Sequence, residues 1–131
     1  MTENVNRLDH STVCGLVPEK MSGFYRLGNL EGSKFCVGYV GRSDYDLRAR
    51  LRQHADTGKF CFFDFKVTDK YEAFLLECRE WHILNTASDD VLTNINHPAA
   101  PKGKPFICPY CFRVDVVRKY FLKGVVGAQN E

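Results

Sequence analysis

No apolar run in this chain approaches the roughly 20 residues that a membrane span requires. The opening stretch MTENVNRLDHSTV lacks the basic start and apolar centre of a secretory signal, so an intracellular, cytoplasmic and reducing setting is expected. Internal repeats and low-complexity tracts are absent, which sets aside solenoids and biased tails. Charge of one sign is also scarce, with 18 Lys and Arg against 16 Asp and Glu and a net charge of +2. That is weak support for a nucleic-acid partner, since such proteins often carry a stronger basic excess, and local charge says more. Two basic stretches stand out: Arg42, Arg48, Arg50 and Arg52 fall close together, and Lys102, Lys104, Arg113, Arg118, Lys119 and Lys123 follow later. By charge alone they read equally well as solvated faces.

What is present is an ordinary globular composition. The chain has 131 residues, 44% hydrophobic and 26% charged, which suits one domain with a real core. Cysteines stand at 14, 36, 61, 78, 108 and 111. Cys36 and Cys61 sit in apolar, strand-like runs and are expected to be small buried hydrophobes. Reduced thiols or metal ligands are the better reading than disulfides.

Residues 1–21 are polar and aperiodic and read as an N-terminal arm. Gly23 to Leu27 alternates as a short strand, Gly28 to Ser33 is turn chemistry, and Phe35 to Val40 is a second strand, together a hairpin. Ser43 or Asp44 can cap a helix running to about His54, with Asp46 in its first turn and Leu47 and Leu51 as its buried stripe. Phe60 to Val67 is an aromatic-rich third strand. Asp69 followed by Glu72 resembles a capping box for a second helix, about Lys70 to Leu84. Residues 85–105 are rich in Asn, Asp, Gly and Pro and form a long loop that needs an anchor. Phe112 to Val117 alternates partly as a strand. The predicted fold is α/β (α+β): a small, mainly antiparallel three-stranded sheet flanked by helices in a core of residues 22–86. A loop and C-terminal extension over 87–131 packs on that core.

Four features occur in order along this core: Gly23-Phe24-Tyr25, Tyr39-Val40-Gly41, Arg50 on the first helix, and Glu77 within the run Glu-Ala-Phe-Leu-Leu-Glu of the second. In this the sequence resembles the GIY-YIG nuclease family over about residues 22–85. The resemblance implies a GIY-YIG endonuclease-like fold and hydrolysis of DNA phosphodiesters, with RNA as the other nucleic-acid substrate left open. It implies that Glu77 holds the catalytic Mg²⁺ or Mn²⁺ and that Tyr25 and Tyr39 orient or deprotonate the attacking water. It also implies a tyrosine or histidine facing the site at His54, and an asparagine after the glutamate helix, for which Asn85, Asn94 and Asn96 compete.

The chemistry is consistent on its own terms. A single carboxylate suits a hydrated Mg²⁺, which keeps several waters. Arg50 can grip phosphate through two hydrogen bonds, and Arg42 and Arg48 offer further phosphate contacts. His54, four residues after Arg50, shares its helical face and can act as a base. Each residue also has an ordinary structural use. Tyr25 and Tyr39 would serve as strand tyrosines, Arg50 would pair with Asp46, and Glu77 would pair with Lys70 or Arg79.

A second constellation points to zinc. Cys108-Pro109-Tyr110-Cys111 has the two-residue gap of a zinc knuckle. Cys78 and His82, four apart on a helix, can face one ion with them, which would pin the C-terminal hairpin to the second helix. His97 is the alternative ligand, able to replace either. Such zinc is structural, since four protein ligands leave no open position. Cys-Pro-Tyr-Cys is also a glutaredoxin string, but there the motif stands early, at a strand-to-helix turn, and here it stands late. The expected function is therefore a metal-dependent endonuclease. A non-catalytic nucleic-acid-binding zinc module is the alternative, and a thiol-disulfide oxidoreductase ranks below both. A homodimer or a protein partner is left to supply specificity.

Overall fold

The structure, a computed structural model, describes residues 4–87 and 97–111. Its elements run β1 (Asn6–Arg7), α1 (His10–Leu16), β2 (Gly23–Glu31), β3 (Lys34–Ser43), α2 (Leu47–Thr57), β4 (Phe62–Val67) and α3 (Lys70–Ala87). The sheet has four antiparallel strands in the order β1-β4-β2-β3, one more than expected. The extra strand comes from the segment read as an arm. Residues 5–20 are built into the fold: Asn6 and Arg7 pair with Phe63 and Phe62, and Leu8, Val13 and Val17 enter the core. The described residues contain no helix long and apolar enough to cross a membrane.

β2 and β3 form the expected hairpin, longer than its apolar run because a two-residue turn joins Glu31 to Lys34. Gly32 takes a left-handed φ of 66° there, which costs glycine little. The ladder slips between Leu27 and Gly28, where Leu27 faces Tyr39 but Gly28 faces Val37, leaving Gly38 as the extra residue of a bulge. A Cβ on Gly28 would stand 2.1 Å from the Cys36 carbonyl oxygen, so only glycine fits that close approach.

Strand alternation divides the core. Tyr25, Leu27 and Phe63 face α1 and α2, joining Leu47 and Leu51. Phe24, Val37 and Val40 face α3, joining Ala73, Leu76 and Trp81. The opposite side of α3 carries Phe74 and Cys78 against Cys108 and Phe106. Being covered on both sides, α3 has no single apolar stripe, and the 97–111 segment is held where the sequence required an anchor.

The helix starts follow short polar signals. Asp46, not Ser43 or Asp44, caps α2: its carboxylate accepts from the Ala49 amide at 3.1 Å, while Ser43 Oγ accepts from the Asp46 amide at 3.0 Å. Asp69 accepts from the Glu72 amide at 2.8 Å, but Glu72 turns to Lys66 at 3.2 Å, so only half of the expected capping box forms. Cys61 is exposed and Cys36 half-buried, because both fall where β4 and β3 leave the core; neither is the buried hydrophobe expected.

Candidate functional site

Tyr25 on β2 stands directly across from Gly41 on β3. A Cβ at position 41 would lie 2.6 Å from the Tyr25 hydroxyl and 3.0 Å from the Tyr39 ring. The missing side chain thus lets the buried Tyr25 ring run to the sheet edge beside Tyr39, the two rings stacked 6.2 Å apart. Both rings meet His54, one turn after Arg50 on α2, with centroids 5.3 and 5.1 Å away. The Tyr25 hydroxyl lies 2.7 Å from His54 Nε2.

Burial pushes the Tyr25 phenol far above its ordinary range and the neighbouring Tyr39 adds to this, while Arg50 pulls the other way. Burial, helped by Arg50, holds His54 below its ordinary value. At neutral pH the pair is therefore a neutral phenol and a neutral imidazole. Arg50 can only donate to the phenol oxygen. With the imidazole proton on Nδ1, the phenol donates to His54 Nε2.

Arg42 neighbours Gly41 but, by alternation, projects to the other face of β3. Its Nη1 donates to Glu77 Oε1 at 2.6 Å and its Nε to Asp44 Oδ1 at 2.8 Å, with the guanidinium 5.4 Å from the Phe74 ring centroid. Glu77 is buried; that burial raises its pKa, and the Arg42 ion pair offsets the rise only in part. Among the described residues Glu77 Oε2 has no hydrogen-bond partner. The two half-sites meet around the edge at Gly41, in a cleft of about 350 Å³ lined by Tyr25, Tyr39, Arg42, Arg50 and Glu77. One carboxylate and two guanidiniums can there hold an oxyanion beside a cation, with phenol and imidazole at hand for proton transfer.

A larger cleft of about 680 Å³ lies beside α3 and β4, lined by Arg26, Asp64, Lys66, Glu72, Arg79 and Glu80. Its charges are already matched: Arg26 with Asp64 and Glu80, Lys66 with Glu72, Arg79 with Glu80. It offers a ligand little unmet charge.

Arg48 does not join the groups that line the cleft. Its Nε donates to the Val17 carbonyl at 2.7 Å and its Nη2 to the Cys14 carbonyl at 3.0 Å, with Nη1 on Glu19 at 3.0 Å. It satisfies the last carbonyls of α1, on the side of α2 away from the cleft.

The metal-ligating groups His82, His97, Cys108 and Cys111 gather with their ligand atoms all within 4.8 Å of one another. His82 Nε2 is 3.2 Å from His97 Nε2, and each is 3.3 Å from Cys111 Sγ. Nitrogen and sulfur at zinc bond lengths define tetrahedron edges of about 3.3–3.8 Å, which these separations approach. His97 Nδ1 lies 2.7 Å from the Pro98 carbonyl oxygen, to which it donates, so its Nε2 lone pair faces the cluster. This Cys₂His₂ cluster could bind a metal such as zinc.

That group contains His97, the alternative ligand, and does not include Cys78. Fully buried, Cys78 packs on Phe74 and Cys108 behind that group. Helical spacing did place Cys78 on the correct side of α3, but the returning chain puts His97 beside His82, with Trp81 packed edge-on against both rings at 5.1 Å.

No family model, curated protein or solved structure matches this chain.

The residues nominated by the sequence divide cleanly. Tyr25, Tyr39, Arg42, Arg50, His54 and Glu77 share one region, Arg48 is elsewhere, and His97 stands in the metal-ligating group with Cys78 packed beside Cys108. Asn85 is exposed near the end of α3, while Asn94, Asn96 and the strand expected over 112–117 lie outside the described residues. Two participants were missed. Asp44 grips Arg42, a pairing that its spacing of two residues could have suggested, and Tyr45 lines the cleft with no sequence signal of its own.

Proposed function

We propose that this protein is a divalent-metal-dependent endonuclease that hydrolyses DNA phosphodiester bonds, as its resemblance to the GIY-YIG family implies. The supporting observation is the gathering of Tyr25, Tyr39, Arg42, Arg50, His54 and Glu77, from four separate elements, around one open sheet edge. A structural protein has little use for two tyrosines, a histidine, two arginines and a buried glutamate at one solvent-facing notch.

In this reading Arg50 binds the scissile phosphate through its planar fork. Glu77, through Oε2, would hold a hydrated Mg²⁺ or Mn²⁺, and the donor set fits an ion that takes one or two carboxylates. When bound, the ion supplies charge neutralisation at the phosphate and the leaving oxygen. Arg42 keeps Glu77 oriented and resists its protonation. Tyr25 and Tyr39 position the attacking water. As Tyr25 takes a proton from that water, its own proton passes to His54 Nε2. The hydroxide oxygen bonds to phosphorus while the bond to the departing sugar oxygen breaks.

Zinc at His82, His97, Cys108 and Cys111 would be structural, joining the 97–111 segment to the helix that carries Glu77. A second reading, a non-catalytic nucleic-acid-binding module, is favoured by one observation: Arg42 already neutralises Glu77.

Glu77→Gln separates the two readings. On linear, nicked, flapped and branched DNA with Mg²⁺ or Mn²⁺, the nuclease reading expects cleavage by the native protein to fall more than about a hundredfold in the variant. Binding should persist and weaken with salt. Binding without cleavage by the native protein on every substrate would select the module.

A further inference from the structure

The loop joining β3 to α2 presents a side chain that the reaction above leaves unused. Tyr45 is 68% exposed at the rim of the cleft, although its neighbours are all tied inward. Ser43 is buried and holds the Asp46 amide, Asp44 grips Arg42, and Asp46 caps α2. The ring is thus displayed on a loop whose backbone is already ordered, so a ligand meeting it loses little conformational freedom. Lys70, at the start of α3, places Nζ 4.1 Å from the ring centroid. One ring face therefore carries a cation, and the ring itself lines the cleft that holds Arg42 and Arg50.

An exposed aromatic face in the same cleft as Arg50, the phosphate-binding group of the nuclease reading, suits stacking with a nucleobase. Bases inside a duplex offer only their edges in the grooves, because their faces are stacked on each other. A tyrosine at this rim can stack only on a base that is out of the helix. We propose that Tyr45, steadied by Lys70, is a stacking platform for an unpaired nucleobase flanking the bound phosphate. The preferred substrate is then DNA with a single-stranded segment at the cleavage point, such as a flap or overhang. This inference rests on the nuclease reading for the position of the phosphate.

The test uses the full chain carrying Glu77→Gln, which keeps the DNA intact, alone and combined with Tyr45→Ala, Tyr45→Phe or Tyr45→Trp. The probe is 2-aminopurine in the single-stranded arm of a flap, one nucleotide from the junction, against the same base in a continuous duplex. Binding should quench the flap probe, and Tyr45→Ala should abolish the quench and weaken flap binding about tenfold. Duplex binding should change less than about twofold in the same variant, and the Phe and Trp variants should behave as tyrosine. Equal losses on flap and duplex, or an undiminished quench with alanine, would overturn the platform, as would failure to bind DNA at all. Native protein assayed on the flap distinguishes the two levels. A Tyr45-dependent quench without cleavage leaves the platform standing and removes the nuclease. Cleavage with no Tyr45 dependence does the reverse.

Discussion

The hydroxyl of Tyr25 and Nε2 of His54 lie 2.7 Å apart, although 29 residues separate them in the chain. A hairpin strand and a helix meet here because Leu27 of the strand and Leu51 of the helix share one core.

Tyr25→Phe should keep the ring packing and leave His54 without its donor. Loss of a positioned proton relay should slow cleavage by about 10²-fold or more, with the melting temperature nearly unchanged. Because the folded pKa of His54 is depressed, its contribution to stability is complete above the ordinary value of 6.5. It is lost as pH falls from there through the lower folded value. Melting followed against pH should show that loss in the native protein and not in His54→Gln, and cleavage should fail over the same acidic window.

Gly41→Ala should disturb both the fold and the site. Its methyl would stand 2.6 Å from the Tyr25 ring, which β2 and β4 prevent from retreating. We expect a loss of about 1–3 kcal/mol in denaturant unfolding and displacement of the Tyr25 and His54 signals in NMR. Gly15→Ala is the control. Nothing lies within 4 Å of a Cβ at that helical position, so it should be neutral or stabilising by up to about 1 kcal/mol.

Arg48 and Arg50 are two residues apart and should fail differently. Arg48→Ala removes the donors that close α1 and should cost about 1–2 kcal/mol of stability without altering the salt dependence of DNA binding. Arg50→Ala should leave melting nearly unchanged and reduce the salt slope by about 1. An unaltered slope in the Arg50 variant would remove it from the phosphate site.

Metal content should separate His97 from Cys78. The native protein should carry about one zinc per chain, lost in His97→Ala and retained in Cys78→Ser. Strong chelators should lower the melting temperature of the native protein and leave that of His97→Ala unchanged. Zinc retained without His97 but lost without Cys78 would restore the ligand set expected from the sequence.

Several elements were legible because their signals are local. The hairpin, the Leu47 and Leu51 stripe and the start of α3 at Lys70 each follow from alternation, helical spacing or a capping side chain within a few residues. α1 escaped notice for the opposite reason. At seven residues, with Val13 its one fully buried position, it is too short to hold together alone. Its stability comes from the core and from Arg48, which lies 31 residues beyond its Val17 acceptor. β1 was equally hidden, since two residues have no periodicity and become a strand only through Phe62 and Phe63.

The sequence by itself determined which chemical groups are available and on which elements they ride. The tyrosines lie on a hairpin, the arginines and His54 around a short helix, Glu77 on a long one, and the cysteine pair follows beyond. Those assignments depend on interactions spanning three or four residues, which a linear pattern records. Only the tertiary structure decided which groups meet: Glu77 with Arg42 rather than Lys70 or Arg79, His82 with His97 rather than Cys78, and Arg48 with the end of α1. Partner choice among several arginines or cysteines is set by how helices pack on the two faces of the sheet, and spacing along the chain carries no record of that.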